Sequence, residues 1–145
     1  TRMAKMADDD GGVWHRMGDL GYLDAEGRLW FCGRKAHRVE TVTGRLFTIP
    51  CEALFNRHPR VRRSALVGVG AAGSQRPVII IELKPGDAGQ DREGLTAELL
   101  AIAGANAITR EIRTVLYHPG FPVDIRHNAK IFREKLAIWA AEQLR

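Results

Sequence analysis

Three runs of apolar residues mark the most strongly predicted strands of the chain. Residues 61–69 alternate between apolar and polar positions at first and then become almost wholly apolar, as expected of a buried strand. Residues 77–83 form a second run that is rich in β-branched side chains. A third strand is predicted at residues 112–117. Together these runs indicate one small sheet.

Turn sequences earlier in the chain predict two hairpins. Short strands at residues 21–24 and 28–32 flank a tight turn that ends in glycine. Strands at residues 39–42 and 45–48 flank a second turn of the same kind. The polar residues before the first hairpin indicate a loop.

Three segments favour helices. Residues 50–57 begin with a proline, which suits a first helical position because no N–H is needed there. Residues 91–103 have an amphipathic pattern. Asn128 can cap a last helix that runs to about residue 144. The apolar face of this last helix consists of Phe132, Leu136, Trp139 and Ala140. The predicted fold is α+β, with an N-terminal β-hairpin followed by a three-stranded sheet on which helices pack.

The composition is that of an ordinary soluble domain and restricts the function only slightly. The 145 residues fit one domain, and no apolar run approaches the roughly 20 residues of a membrane span. Thr1 is not an initiator methionine, so we expect the chain to be part of something longer. Cys32 and Cys51 are expected to be buried free thiols in a reducing cytosol, and no metal-ligand spacing is present. A cytoplasmic location is therefore predicted.

The chain is basic, with a formal charge of +5 at pH 7. A nucleotide, coenzyme A, an acyl-carrier protein or a nucleic acid would all suit this charge. Many unremarkable domains carry a similar charge, so the value favours none of these partners by itself.

Lys130 is the first candidate for chemistry. It lies at the predicted start of the last helix, close to Arg126, His127 and Arg133. Cations at a helix N-terminus cost roughly 0.3–1 kcal/mol each, so the arrangement makes sense if an anion docks there. A solvated basic cluster is the alternative, and the residues alone leave both interpretations open.

Asp19 and Arg34 are candidate nucleotide ligands. A carboxylate on a Gly-Asp turn can accept two hydrogen bonds from a ribose diol, and an arginine fork suits phosphate. The alternatives are a turn aspartate that bonds its own backbone and a surface hairpin arginine.

Two other residues and one group of arginines are assigned structural roles. His37 is expected to be a partly exposed strand histidine, although such a side chain can move protons near neutral pH. Glu52 is expected to stabilise the first turn of its helix. The sequence predicts that Arg60, Arg62 and Arg63 form a solvated patch at a strand edge.

Three segments together resemble the C-terminal domain of the adenylate-forming superfamily, which includes acyl-CoA synthetases, adenylation domains and luciferases. They are residues 17–22, residues 31–35 and residues 126–133. The resemblance implies that Lys130 contacts the substrate carboxylate and the α-phosphate. It also implies that Asp19 binds the ribose hydroxyls and that Arg34 contacts the nucleotide.

The same resemblance implies a hinge at Ala36, where relatives usually carry Asp or Lys; a small residue can still absorb a change in φ and ψ. Residues 1–35 would then be the end of a large N-terminal domain, and residues 36–145 would be a mobile lid. ATP and Mg²⁺ would be bound mainly by that missing domain. The chain alone is predicted to be inactive.

Residues 18–52 and 119–139 look like the β-lactone synthetases of olefin biosynthesis within this superfamily. Those enzymes use ATP to convert a 2-alkyl-3-hydroxy fatty acid to a β-lactone, and other enzymes of olefin biosynthesis are possible partners. CoA ligases usually have a Gly-Gly pair after the hinge, where the pantetheine arm passes, whereas residues 38–48 of this chain contain one glycine, Gly44.

Two alternatives stay open. One is the lid of an acyl-CoA or carrier-protein ligase that forms a thioester. The other is a basic α+β domain that binds nucleic acid, although the chain lacks an aromatic-rich RNP-type strand.

Overall fold

The computed structural model describes residues 5–7, 13–15, 18–127 and 130–145. The helices in these ranges are α1 (Thr48–Asn56), α2 (Arg92–Ala105), α3 (Arg133–Gln143) and a one-turn 3₁₀ helix (Lys35–His37). The strands are β1 (Lys5–Ala7), β2 (Val13–His15), β3 (Asp19–Leu23), β4 (Leu29–Arg34), β5 (Val39–Glu40), β6 (Arg45–Leu46), β7 (Val61–Val69), β8 (Arg76–Leu83), β9 (Thr114–Tyr117), β10 (Val123–Asp124) and β11 (Lys130–Ile131).

The central sheet has the order β7-β8-β9, with β8 antiparallel to β7 and parallel to β9. The parallel connection runs through α2, as parallel neighbours require a crossover. Helices cover both faces of the sheet, which explains why β8 is apolar on both sides. Its residues Ile79 and Ile81 pack with α1 and α2, whereas Val78 and Ile80 pack with α3. This arrangement confirms the predicted α+β fold.

The two predicted hairpins are present, whereas part of the segment predicted to be a loop forms strands, since β1 pairs antiparallel with β2. β3 pairs with β4, and the shorter β5 pairs with β6. Large apolar side chains of the first hairpin are exposed, and Trp30 is 48% exposed. The exposed apolar side chains of this hairpin are those of Tyr22, Leu23, Leu29, Trp30 and Phe31.

The prediction that the last helix begins at Asn128 is wrong. Asn128 lies outside the described residues, and α3 begins only at Arg133. Lys130 and Ile131 instead form β11, which pairs with β10, and the Phe132 N–H donates to the carbonyl of Pro122 at 2.9 Å. This pairing satisfies backbone groups that a longer helix would have used.

Two structural assignments also need correction. Glu52 is the fifth residue of α1, so it lies beyond the first turn, and its buried carboxylate is paired with Arg133. Arg60 donates to Asp87 and to neighbouring carbonyls, while Arg63 makes a two-pronged contact with Glu82. Arg60 and Arg63 are therefore structural contacts, whereas the Arg62 side chain is 58% exposed, as predicted.

Both cysteines are buried and free, as predicted. Burial raises the pKa of the Cys51 thiol to about 12. Within the described ranges, no helix has the length and apolar character needed to cross a membrane. The same ranges contain no cluster of three or more His, Cys, Asp or Glu side chains suited to a metal ion.

Candidate functional site

A cleft of about 340 Å³ lies between the one-turn helix and the hairpin formed by β10 and β11. We call it the hairpin cleft. It is lined by Arg34, Ala36, His37, Asp124, His127, Lys130, Ile131, Phe132 and Glu134. Three of the four site residues predicted from the sequence are therefore brought together on one surface.

The fourth residue, Asp19, joins this group through Arg34. The two residues are cross-strand partners in the first hairpin, and Arg34 Nε lies 3.3 Å from Asp19 Oδ1. Both side chains are nearly half exposed, so this ion pair is open to solvent and contributes little to stability. The pair is available to a ligand that competes for either charge.

Ala36 is the central residue of the one-turn 3₁₀ helix. The residues on either side of this helix, Arg34 and Arg38, have extended backbone conformations. Ala36 is exposed and has no polar group with which to tie the turn to its surroundings. A single turn between two extended residues is a short segment that could absorb a change in backbone angles.

Lys130 opens β11 and is exposed. It lies opposite Asp124 in the strand register. Because Lys130 is on a strand, the argument that a helix N-terminus would select an anion beside it does not apply. Its placement in the cleft, together with the guanidinium of Arg34, provides the positive charge instead. Arg133, which the sequence grouped with Lys130, is held by Glu52.

Asp124 and His127 form a hydrogen-bonded pair in the hairpin. Asp124 Oδ2 lies 2.7 Å from His127 Nδ1, and Oδ1 accepts the Arg126 N–H at 3.0 Å. The hydrogen bond from His127 is the main cause that lowers the pKa of Asp124. The carboxylate therefore stays charged near neutral pH and orients the imidazole.

His37 and Glu134 form a second pair on the opposite side of the cleft. His37 Nε2 lies 2.6 Å from Glu134 Oε1, and this hydrogen bond lowers the pKa of Glu134. Only 13% of the His37 side chain is exposed. Its Nδ1 is the single buried side-chain nitrogen or oxygen without a hydrogen-bond partner in the described part of the chain. The expected strand histidine thus lies in the one-turn helix and is largely enclosed.

Sequence reasoning missed two carboxylates of the site, Asp124 and Glu134. The spacing of Asp124 and His127, three residues apart, was the only local signal for the first pair. The second pair joins residues that are 97 positions apart, so no local pattern could have indicated it. Both carboxylates balance the basic groups of the cleft without neutralising Lys130 directly.

The described fold matches that of the C-terminal domain of adenylate-forming enzymes. The crystal structure of ATP-bound MatB from Rhodopseudomonas palustris superimposes with a TM-score of 0.76 at 22% identity. That match covers 100% of this chain and 27% of the MatB chain. No protein-family model matches the chain.

Sequence relatives define the family more closely. The chain is 59% identical to the olefin beta-lactone synthetase of Xanthomonas campestris pv. campestris, over 99% of this chain and 26% of that protein. It is 55% identical to the olefin beta-lactone synthetase of Stenotrophomonas maltophilia, over 96% of this chain and 25% of that protein. The chain belongs to the adenylate-forming superfamily and is homologous to its olefin beta-lactone synthetases. It spans about a quarter of the length of these relatives.

Proposed function

We propose that residues 36–145 form the mobile lid of an ATP-dependent adenylate-forming ligase and that residues 1–35 end its larger domain. The enzyme would activate a 2-alkyl-3-hydroxy fatty acid as an acyl adenylate. The 3-hydroxyl would then close the ring to a β-lactone and release AMP. The assignment rests on the homology and on the convergence of Lys130, Arg34 and Ala36 on one cleft.

The cleft has the chemistry that adenylate formation needs. The ammonium of Lys130 would stabilise negative charge on the carboxylate and α-phosphate oxygens as pyrophosphate leaves. The pair of Asp19 and Arg34 fits a ribose, since the carboxylate can accept hydrogen bonds from both hydroxyls while the guanidinium stays nearby. Mg²⁺ would accompany ATP and would be held mainly by the missing N-terminal domain.

The turn after the hinge supports lactone formation over thioester formation. Thr41 Oγ1 accepts the N–H groups of Thr43 and Gly44, and the Thr43 hydroxyl donates to Glu111. Hydrogen-bonded side chains thus occupy the segment where the resemblance leads us to expect a flat Gly-Gly backbone in CoA ligases. A ring closed by the substrate's own hydroxyl needs no passage for pantetheine.

Product analysis of the complete protein tests this assignment. The protein would be incubated with ATP, Mg²⁺ and a 2-alkyl-3-hydroxy fatty acid, with and without CoA, and the products identified by mass spectrometry. We expect a β-lactone and AMP whether or not CoA is present. A thioester formed only with CoA would assign the chain to the acyl-CoA ligases instead. Absence of AMP, with salt-dependent binding to RNA or DNA, would favour the nucleic-acid alternative.

Replacement of Lys130 by alanine tests its role in adenylation. Loss of one preorganised positive group at a developing oxyanion typically lowers the rate by about 10²–10³-fold. We therefore expect Lys130→Ala to lose most pyrophosphate release. Lys84→Ala is the matched control, because Lys84 is exposed in the β8–α2 loop and does not line the cleft. Equal rates for Lys130→Ala and the control would remove Lys130 from the mechanism.

A further inference from the structure

The pair of Asp124 and His127 has the geometry of a proton-accepting dyad. Asp124 is bonded to Nδ1 of the imidazole, which fixes the proton on that nitrogen and leaves Nε2 as the acceptor. The His127 side chain is 68% exposed and lines the hairpin cleft. No hydrogen bond to Nε2 is made by the described residues. The free nitrogen is therefore accessible to a substrate.

Three other histidines, His37, His58 and His118, are not placed for this task. His37 uses Nε2 to bind Glu134, and its Nδ1 is buried. His118 packs edge-on against Trp139 and accepts the Gly120 N–H. His58 binds Glu98 through Nε2 and accepts the Arg60 N–H through Nδ1, outside the cleft. None of these three rings offers an accessible acceptor nitrogen to the cleft, which favours His127 as the base.

His127 lies three residues before Lys130 on the same hairpin. The lid position that brings Lys130 to the acyl adenylate therefore also brings the imidazole to it. Ring closure needs a base near the acyl carbon, because its nucleophile is the 3-hydroxyl, which lies two carbons from the acyl carbon on the same substrate. An alcohol is a poor nucleophile until its proton is removed.

We propose that His127 is the general base of ring closure and that Asp124 is its positioning residue. This inference rests on the function proposed above. The His127 Nε2 takes the proton of the 3-hydroxyl as the hydroxyl oxygen attacks the acyl carbon. The bond between this carbon and the phosphate oxygen of AMP breaks, and AMP leaves with the electron pair. The imidazolium then returns its proton to water.

Two substrates separate the half-reactions in the complete protein. A 2-alkyl fatty acid without the 3-hydroxyl can be adenylated but cannot close a ring, so pyrophosphate release in its presence reports adenylation alone. The 3-hydroxy acid reports both steps through the lactone. His127→Ala should lose much less adenylation of the deoxy acid than lactone formation from the hydroxy acid. With the hydroxy acid it should form lactone about 10²–10⁴-fold more slowly, the usual contribution of a general base, and the acyl adenylate should accumulate.

Rescue and a matched control complete the test. Added imidazole should restore part of the lactone formation by His127→Ala, which a purely structural role would not allow. Asp124→Asn should lower lactone formation more than adenylation, because the amide no longer selects the required tautomer. Glu98→Gln is the control, since it removes the His58–Glu98 pair, a contact of 2.6 Å between residues outside the cleft.

Three results would overturn the inference. They are wild-type lactone formation by His127→Ala, an equal loss of both half-reactions in that variant, and the absence of imidazole rescue. Failure of the proposed function is distinguishable from these, because in that case the wild-type protein itself would form no lactone. Wild-type lactone with an unaffected His127→Ala variant would leave the ligase assignment intact and reject only the base.

Discussion

Arg133 at the start of α3 holds Glu52 of α1 through two hydrogen bonds. Nη2 lies 2.5 Å from Oε1, and Nε lies 3.1 Å from Oε2. The Leu66 N–H of β7 donates to the same carboxylate at 2.7 Å. Burial raises the pKa of Glu52, and the charge of Arg133 opposes this shift. The pair thus joins α1, α3 and the central sheet. Its arginine lies three residues after Lys130.

Glu52→Ala should destabilise the chain strongly. The Arg133 guanidinium would be left largely buried without its carboxylate, which typically costs about 3–5 kcal/mol. Urea denaturation would measure this loss. Glu98→Ala removes the exposed carboxylate of the His58–Glu98 contact and should cost no more than about 1 kcal/mol. Similar losses in both variants would show that the buried pair is not a structural tie.

The ionisation of Asp24 should make the stability of the first hairpin depend on pH. Its carboxylate accepts hydrogen bonds from the Trp30 indole, from Arg28 and from the Glu26 N–H. These bonds, led by that of Trp30, lower the pKa of Asp24 from 3.8 to about 2. The folded-state pKa lies below the ordinary value of 3.8, so the stabilisation is complete at pH values above about 4. It is lost as the pH falls from about 4 to about 2.

The indole N–H resonance of Trp30 would follow this loss in an acid titration by NMR. We expect the resonance to shift with a midpoint near pH 2 in the wild-type chain. In Asp24→Asn the resonance should have no such transition, since an amide does not titrate there. A midpoint near pH 4 in the wild-type chain would contradict the tight set of hydrogen bonds.

The sheet and the early hairpins could be predicted from local sequence because their signals are local. β7 and β8 follow from long apolar runs, and β8 has the same residue type on both faces because helices cover both. The β3–β4 hairpin follows from its turn. These signals depend on neighbouring residues only, so they do not need the rest of the fold.

The start of α3 could not be predicted in the same way. The two-residue strands β10 and β11 are too short for a periodic pattern, and they are stabilised by pairing with each other. Glu52 and Arg133 are 81 residues apart, so no pattern near Arg133 indicated the carboxylate that binds it. Local sequence made Lys130 and Asp19 candidates, but their specific roles came only from the family resemblance, and those roles stay predictions.

Gly33 fixes the backbone just before Arg34, and its substitution should be costly. Its φ is +119°, a conformation that side chains disfavour, and an added Cβ would collide with the Oγ1 of Thr48 at the start of α1. Strain of this kind costs on the order of 1–3 kcal/mol. Displacement of β4 would also move Arg34 away from Asp19. We therefore expect Gly33→Ala to lower both the unfolding free energy and the affinity of the complete protein for ATP.

Two other glycines allow the cost of backbone strain to be distinguished from the cost of the collision with Thr48. Gly27 also has a positive φ, of +80°, but an added Cβ would meet nothing within 4 Å. Gly44 has neither a positive φ nor a close neighbour, so Gly44→Ala should stay within about 0.5 kcal/mol of the wild-type stability. Denaturant unfolding should rank the losses as Gly33→Ala, then Gly27→Ala, then Gly44→Ala. Equal losses at Gly33 and Gly27 would mean that contact with Thr48 adds nothing and that strain alone fixes the backbone before Arg34.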